Sequence, residues 1–145
     1  MMEFVYAYAY FVLYAFLGWV CEDLYCGIPA KKFINRGFFY GPYCPIYGVG
    51  ALLVLYPLLF VKDYPILVFV LGVIITSTLE YITSWVMEIL FKTRWWDYSE
   101  RFMNINGRVC LLNSTLFGIM SIVVVYIIHP VIQDIVMDIP FTALM

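Results

Sequence analysis

Charged residues are scarce in this sequence. Of its 145 residues, 12% are charged and 65% are hydrophobic, and the mean hydropathy is +0.93. Soluble domains carry about 25% charged and about 45–50% apolar residues. Water is therefore excluded as the main solvent of this chain, and the composition predicts an integral membrane protein.

Several catalytic and binding motifs are also missing. The single histidine, His129, and the four cysteines form neither a C-x-x-C pair nor a metal-ligand spacing, so we expect no metal and no other cofactor. The chain contains no H-E-x-x-H, G-x-S-x-G or Walker A sequence. The net charge is −2 and no basic run could form a nucleic-acid arm, so we expect no nucleic-acid partner.

Long apolar runs are abundant instead. They cover residues 4–21, 45–61, 66–91 and 109–128. Each is near or above the roughly 17–25 residues that cross a bilayer as a helix. Because backbone polar groups in lipid must be satisfied within the segment, each run is predicted to be helical. The expected fold is all-α, a single transmembrane domain (1–145) with about four transmembrane helices.

The basic residues are distributed unevenly between the connections. Loops 22–44 and 92–108 hold seven of the eight, whereas Lys62 lies in the short turn between the second and third runs. By the positive-inside rule we expect both long, structured loops to be cytoplasmic and both termini to lie outside the bacterial cytoplasmic membrane. The tail, 131–145, is predicted to be a short amphipathic segment on the outer surface.

An internal similarity relates the two halves. A shift of 66 residues superposes Trp19-Val20-x-Glu22 on Trp85-Val86-x-Glu88. The same shift pairs Leu13 with Leu79, Leu24 with Leu90, Gly41 with Gly107 and Cys44 with Cys110. This pattern favours two parallel two-helix repeats, with chance similarity in an apolar chain as the alternative.

Polar residues recur at helical spacing in the third run. Glu80, Thr83, Ser84 and Glu88 fall along one stripe, and the repeat places Glu22 in the position equivalent to Glu88. A carboxylate at such depth needs a partner or a wet cavity. We interpret these five residues as candidates for a substrate or ion path. A helix-packing hydrogen bond from a protonated Glu80 is the alternative.

The two long loops concentrate groups suited to anion binding. Guanidinium forks and side-chain amides hold phosphate or carboxylate groups. The candidates are Asn35, Arg36, Arg94, Asn106 and Arg108. Four residues of the second loop are expected to support them, namely Trp95, Trp96, Asp97 and Tyr98. For the aromatic residues, a belt at headgroup level is the alternative.

Several of these motifs together resemble a known family. They are Gly18-Trp19 with Glu22, Asn35-Arg36-Gly37-Phe38, Gly41-Pro42, Pro45-Ile46-Tyr47-Gly48, Glu80 with Thr83-Ser84 and Glu88, Arg94-Trp95-Trp96-Asp97-Tyr98-Ser99, and Asn106-Gly107-Arg108-Val109-Cys110-Leu111. In these motifs, which extend from about Gly18 to Gly118, the chain is similar to the bacterial putative ABC-transporter type IV permease family. The resemblance implies a permease that works with a separate ATPase subunit.

Three functional hypotheses follow. The first is a permease subunit with Glu80 in the path, in which protomers of a homo-oligomer enclose the channel. The second is a membrane enzyme or binding protein for an anionic or lipid-linked substrate, with Glu22, Glu88 or Asp97 as acid or base. The third is a non-catalytic scaffold with fully paired charges. Membrane lipids are expected partners of all three.

Overall fold

The computed structural model describes residues 2–30 and 41–139. The helices are α1 (Met2–Ala30), α2 (Pro45–Leu59), α3 (Pro65–Phe91), α4 (Leu111–Val123) and α5 (His129–Asp138), with a π-helical turn at Val124–Ile128. In these ranges no β-strand forms, and an isolated bridge pairs Ile105 with Val109. The predicted all-α class is confirmed.

The lengths of the helices agree with a membrane protein. Among the described residues, three helical segments are long and apolar enough to cross a bilayer: Phe4–Leu24, Pro65–Phe91 and Leu111–Asp138. Helix α2 has 15 residues, which is about 22 Å and less than the roughly 30 Å hydrocarbon core. Three candidate spans and one shorter apolar helix match the expectation of about four.

Local signals set both ends of α3. Pro65 occupies the first turn, where its fixed φ suits a helix and its missing N–H costs nothing. At the other end, Lys92 adopts a left-handed φ of 56° and its backbone N–H donates to the carbonyl of Glu88 at 2.9 Å. This arrangement ends the helix and turns the chain into the following loop.

The last helical run does not end where the apolar run ends. The segment predicted as 109–128, followed by a separate tail, forms α4, the π-helical turn and α5 without a break. Pro130 lacks the N–H that would bond four residues back and its ring would clash there. The wider π turn just before it accommodates this defect, so the helix continues to Asp138.

The chain divides into two compact units, Met1–Leu53 with His129–Met145, and Val54–Ile128. In the first unit, the backbone N–H of Cys44 donates to the carbonyl of Ala15 at 2.9 Å. The buried Tyr14 hydroxyl lies 3.1 Å from Nδ1 of His129. These bonds tie the start of α2 and the start of α5 to α1.

The second unit is built on close packing of α3 against α4. Gly118 faces Val73 and Phe69, and Gly72 faces Ser121, so that an added Cβ at either glycine would overlap its neighbour. Small residues of this kind let helix backbones approach closely in lipid. The Ser77 hydroxyl also donates to the Ser114 hydroxyl at 2.7 Å across the same interface.

One contact falls at equivalent positions in the two halves. In the first unit Gly48 packs against Phe11, and in the second Ser114 bonds Ser77. Gly48 and Ser114 are 66 positions apart in the sequence, and so are Phe11 and Ser77. This common register supports the internal repeat, which stays a prediction.

The close approach at Gly118 gives a test of the packing. A Cβ at this position would lie 2.5 Å from Cγ2 of Val73 and 2.7 Å from Cε2 of Phe69, so Gly118→Val should lower the free energy of unfolding by about 1–3 kcal/mol. The measurement is reversible unfolding in detergent micelles. The neighbouring Ile119, which is half-exposed, provides the control Ile119→Phe. Equal stability of the two variants would contradict the packing described.

Candidate functional site

Glu80, Ser84 and Glu88 of α3 meet the loop 92–110. Glu80 is eleven residues before the end of the helix, which is about 17 Å along its axis. The loop residue Tyr98 nevertheless bonds Glu80. The loop therefore folds back along α3 and does not extend into solvent.

A tight turn shapes the far side of this loop. Asn106 and Gly107 have positive φ values of 53° and 68°, as the two central residues of a type I′ turn require. The N–H of Arg108 donates to the carbonyl of Ile105, and the N–H of Ile105 donates to the carbonyl of Val109, both at 3.0 Å. A side chain at Gly107 would also overlap Ser99.

Further bonds hold the two sides of the loop together. The Trp96 indole N–H donates to the Arg108 carbonyl at 2.9 Å, and the Tyr98 N–H donates to the Gly107 carbonyl at 2.7 Å. Asn104 donates to the carbonyls of Ser99 and Arg101 and accepts from the Gly107 N–H. These bonds give the loop a fixed conformation.

Asp97 stabilises the first turn of the loop. Its carboxylate accepts hydrogen bonds from the hydroxyl and the backbone N–H of Ser99. These bonds, together with the Arg94 guanidinium 3.7 Å away, hold the pKa of Asp97 below its ordinary value. Asp97 therefore stays charged at neutral pH and acts as a structural acceptor.

Glu88 joins the loop to α3. Its carboxylate pairs with Nε of Arg94 at 3.2 Å and with Nη2 of Arg108. The Arg94 side chain is 36% exposed, whereas that of Arg108 is 10% exposed. Removing a guanidinium from water is costly unless it is paired. Glu88 therefore supplies the charge that permits Arg108 to be buried.

Two more groups on α3 complete the surroundings of Arg108. Its Nη1 donates to the Ser84 hydroxyl at 3.1 Å, and its guanidinium carbon lies 5.7 Å from the centre of the Tyr81 ring, within cation–π range. The Tyr81 hydroxyl in turn accepts from Asn106 at 2.8 Å. Arg108 is thus held by one ion pair, one hydrogen bond and one ring.

Glu80 lies eight residues before Glu88 on α3 and is part of a chain of hydrogen bonds. The Asn113 amide donates to the Tyr98 hydroxyl at 2.6 Å, and this hydroxyl donates to Oε1 of Glu80 at 3.2 Å. Burial raises the pKa of Tyr98 above its ordinary value, and the nearby Glu80 carboxylate raises it further. The phenol therefore keeps its proton. Oε2 of Glu80 is buried and accepts no hydrogen bond from any described residue.

The structure brings together most of the candidates from the second half of the sequence. Ser84, Glu88, Arg94, Asn106 and Arg108 form one cluster, which we name the Glu88 cluster. Thr83 is half-buried on the same helix and Trp95 is half-exposed in the loop. Glu22 belongs to the first unit, where it accepts a bond from Tyr47. Asn35 and Arg36 lie outside the described residues.

The predicted anion-binding role stays a prediction for Arg94 and Arg108. Both guanidinium groups already bind Glu88, so an incoming anion would compete with this carboxylate. Within the described ranges no group of three or more His, Cys, Asp and Glu side chains is placed to hold a metal ion.

Two residues of the site were missed in the sequence. Asn113 is an amide at the fifth position of the apolar run 109–128, a signal that could have identified it, since polar groups in membrane helices seek partners. Tyr81 is three residues before Ser84 and seven before Glu88, so it lies on the same helical face as these two residues of the predicted stripe, and this spacing could have identified it. Its role depends on where Arg108 packs, and that is set by the fold of the loop.

The geometry defines a helical membrane protein with a buried carboxyl group beneath a folded loop. The chain belongs to the family described as putative ABC-transporter type IV, whose sequence model matches residues 9–145. This confirms the resemblance seen in the motifs. No curated protein and no solved structure matches the chain significantly.

The two ion pairs of Glu88 differ in burial, which gives a second test. Because Arg108 is buried and Arg94 is one-third exposed, Arg108→Gln should lower the thermal unfolding midpoint more than Arg94→Gln. A double-mutant cycle with Glu88→Gln should give the larger coupling for Arg108.

Salt provides the control for this comparison. The coupling of Glu88 to Arg94 should weaken as ionic strength rises, because exposed charges are screened, whereas that to Arg108 should change less. Equal couplings with equal salt dependence would contradict the burial of Arg108.

Proposed function

We propose that the protein is a permease subunit of a transporter in the bacterial cytoplasmic membrane, and that the Glu80 carboxyl group contacts the transported species within α3. The observation that supports this most directly is the buried Oε2 atom, for which the described residues provide no hydrogen bond. Membership of the family supports the association with ABC transport.

The chemistry of Glu80 limits what it can contact. An unsatisfied buried oxygen costs about 1–3 kcal/mol, and ionisable groups inside membrane helices usually line substrate or ion routes. A carboxyl oxygen accepts a proton, a cation or a donor group of a solute. Tyr98, which itself accepts a bond from Asn113, donates to the other oxygen, Oε1, so Oε2 is the atom left for such a partner.

Transport by this chain requires components that it does not contain. It has no Walker A sequence, so hydrolysis of ATP would come from a separate ATPase subunit. Its few helices enclose little volume, so we propose that the route forms in a homo-oligomer. We place the loop 92–110 on the cytoplasmic side, by the positive-inside rule, where an ATPase would bind.

Access to position 80 tests the proposal. In Glu80→Cys protein reconstituted in vesicles, cationic and anionic membrane-impermeant methanethiosulfonate reagents should modify the new thiol, because the proposed route brings water to position 80. Ile82→Cys is the matched control, since Ile82 is half-exposed on the same helix and should face lipid. Wild-type protein gives the background from the native cysteines.

If the thiol at position 80 is as unreactive as that at position 82 with both reagents, no aqueous route reaches Glu80. The thermal unfolding midpoint of the Glu80→Cys protein, compared with that of wild type, separates this outcome from loss of the fold.

A scaffold subunit is the second candidate, and the Glu88 cluster favours it. Arg94, Arg108 and Asp97 all have charged partners, as expected for groups that maintain a binding surface. If the protein is a scaffold subunit, the thiol of the Glu80→Cys protein should be unreactive although the protein is folded.

A further inference from the structure

A groove lies between the loop 92–110 and the first turns of α4, and it shares no lining residue with the Glu88 cluster. It is lined by Arg101, Phe102, Leu111, Leu112 and Thr115 and has a volume of about 390 Å³. Ligand pockets in proteins commonly have about 300–1,000 Å³. Leu111, Leu112 and Thr115 belong to the first turns of α4, so the groove lies where a candidate membrane span begins.

The loop beside this groove exposes large apolar side chains. Phe102 is 78% exposed, Met103 63% and Ile105 59%. Met103 has a positive φ of 50°, and the Asn104 bonds fix the chain around it. Three such side chains in one loop outside the helices are unfavourable in water. They indicate that this side of the loop enters the boundary between headgroups and acyl chains.

Arg101 carries the only charge among the described residues that line the groove. Its backbone is fixed, since its N–H donates to the Tyr98 carbonyl at 2.8 Å and its carbonyl accepts from Asn104 at 2.9 Å. Arg94 and Arg108 both pair with Glu88, whereas within the described ranges no carboxylate pairs with Arg101. A guanidinium is therefore presented at the edge of an apolar surface.

We propose that this groove is a binding site for one phospholipid, whose phosphate contacts Arg101 and whose acyl chain lies along Leu111, Leu112 and Thr115. A guanidinium suits the paired oxygens of a phosphate. Its aliphatic stem packs on apolar groups while its head reaches the interface. The site shares no residue with Glu80 and its partners, so it does not rest on the proposed permease function.

Native mass spectrometry of the delipidated protein tests the proposal. The probes are phosphatidylglycerol, a diacylglycerol with the same acyl chains, and inorganic phosphate. We expect one tightly bound phosphatidylglycerol per chain, weaker binding of diacylglycerol and no binding of phosphate alone. Arg101→Gln should weaken phosphatidylglycerol binding about tenfold, because a charge-assisted bond is lost, and Arg101→Lys should restore part of it.

Matched variants separate the two parts of the site. Lys92→Gln removes an exposed positive charge from the same loop but outside the groove, and should leave binding unchanged. Leu112→Asn changes the half-exposed apolar lining and should weaken phosphatidylglycerol and diacylglycerol alike.

Four outcomes would overturn the proposal. Unchanged binding in Arg101→Gln would remove the phosphate contact, and an equal loss in Lys92→Gln would indicate attraction by charge alone. Equal binding of diacylglycerol would leave an apolar groove without headgroup recognition. Displacement of the lipid by inorganic phosphate would make the site one for free anions. Unfolding midpoints equal to that of wild type ensure that each comparison uses folded protein.

Discussion

The ion pairs of Glu88 with Arg94 and Arg108 are the interaction on which the fold of the loop 92–110 depends. The end of α3 projects past the start of α4, and a loop of mixed aromatic and charged residues must cover it. Arg108 can be buried there only because Glu88 neutralises it. With Arg108 and Arg94 fixed to the same carboxylate, the loop lies along the helix, and the positions of its other side chains follow.

Two consequences of this fixed loop bear on function. On its inner side Tyr98 reaches Glu80 and occupies one carboxyl oxygen, leaving the other oxygen enclosed and without a described partner. Elsewhere in the loop, Arg101 and Phe102 border an apolar groove that the first turns of α4 complete. The same loop thus reaches a buried carboxyl group and borders an apolar surface suited to the membrane interface.

Much of the fold could be predicted from the sequence, because the bilayer demands long apolar helices. The run predicted at 66–91 corresponds to α3, Pro65–Phe91, and the stripe containing Glu80, Ser84 and Glu88 was visible as a helical spacing. The path of the loop 92–110 could not be predicted from the sequence. Whether Arg94 and Arg108 bind an external anion or Glu88 depends on tertiary structure, which spacing does not encode. The continuation past Pro130 was missed for a related reason, since a π turn absorbs a proline that usually ends a helix.

The central claim is that the Glu80 carboxyl group faces water or a solute and not a sealed core. Water-edited solid-state NMR of the protein in lipid bilayers measures this most directly, through magnetisation transfer from water to the side-chain carboxyl carbon of Glu80. The account predicts transfer at Glu80 nearly as fast as at the partly exposed Glu88. Transfer as slow as at the Ser77 and Ser114 pair, which is bonded between α3 and α4, would contradict it.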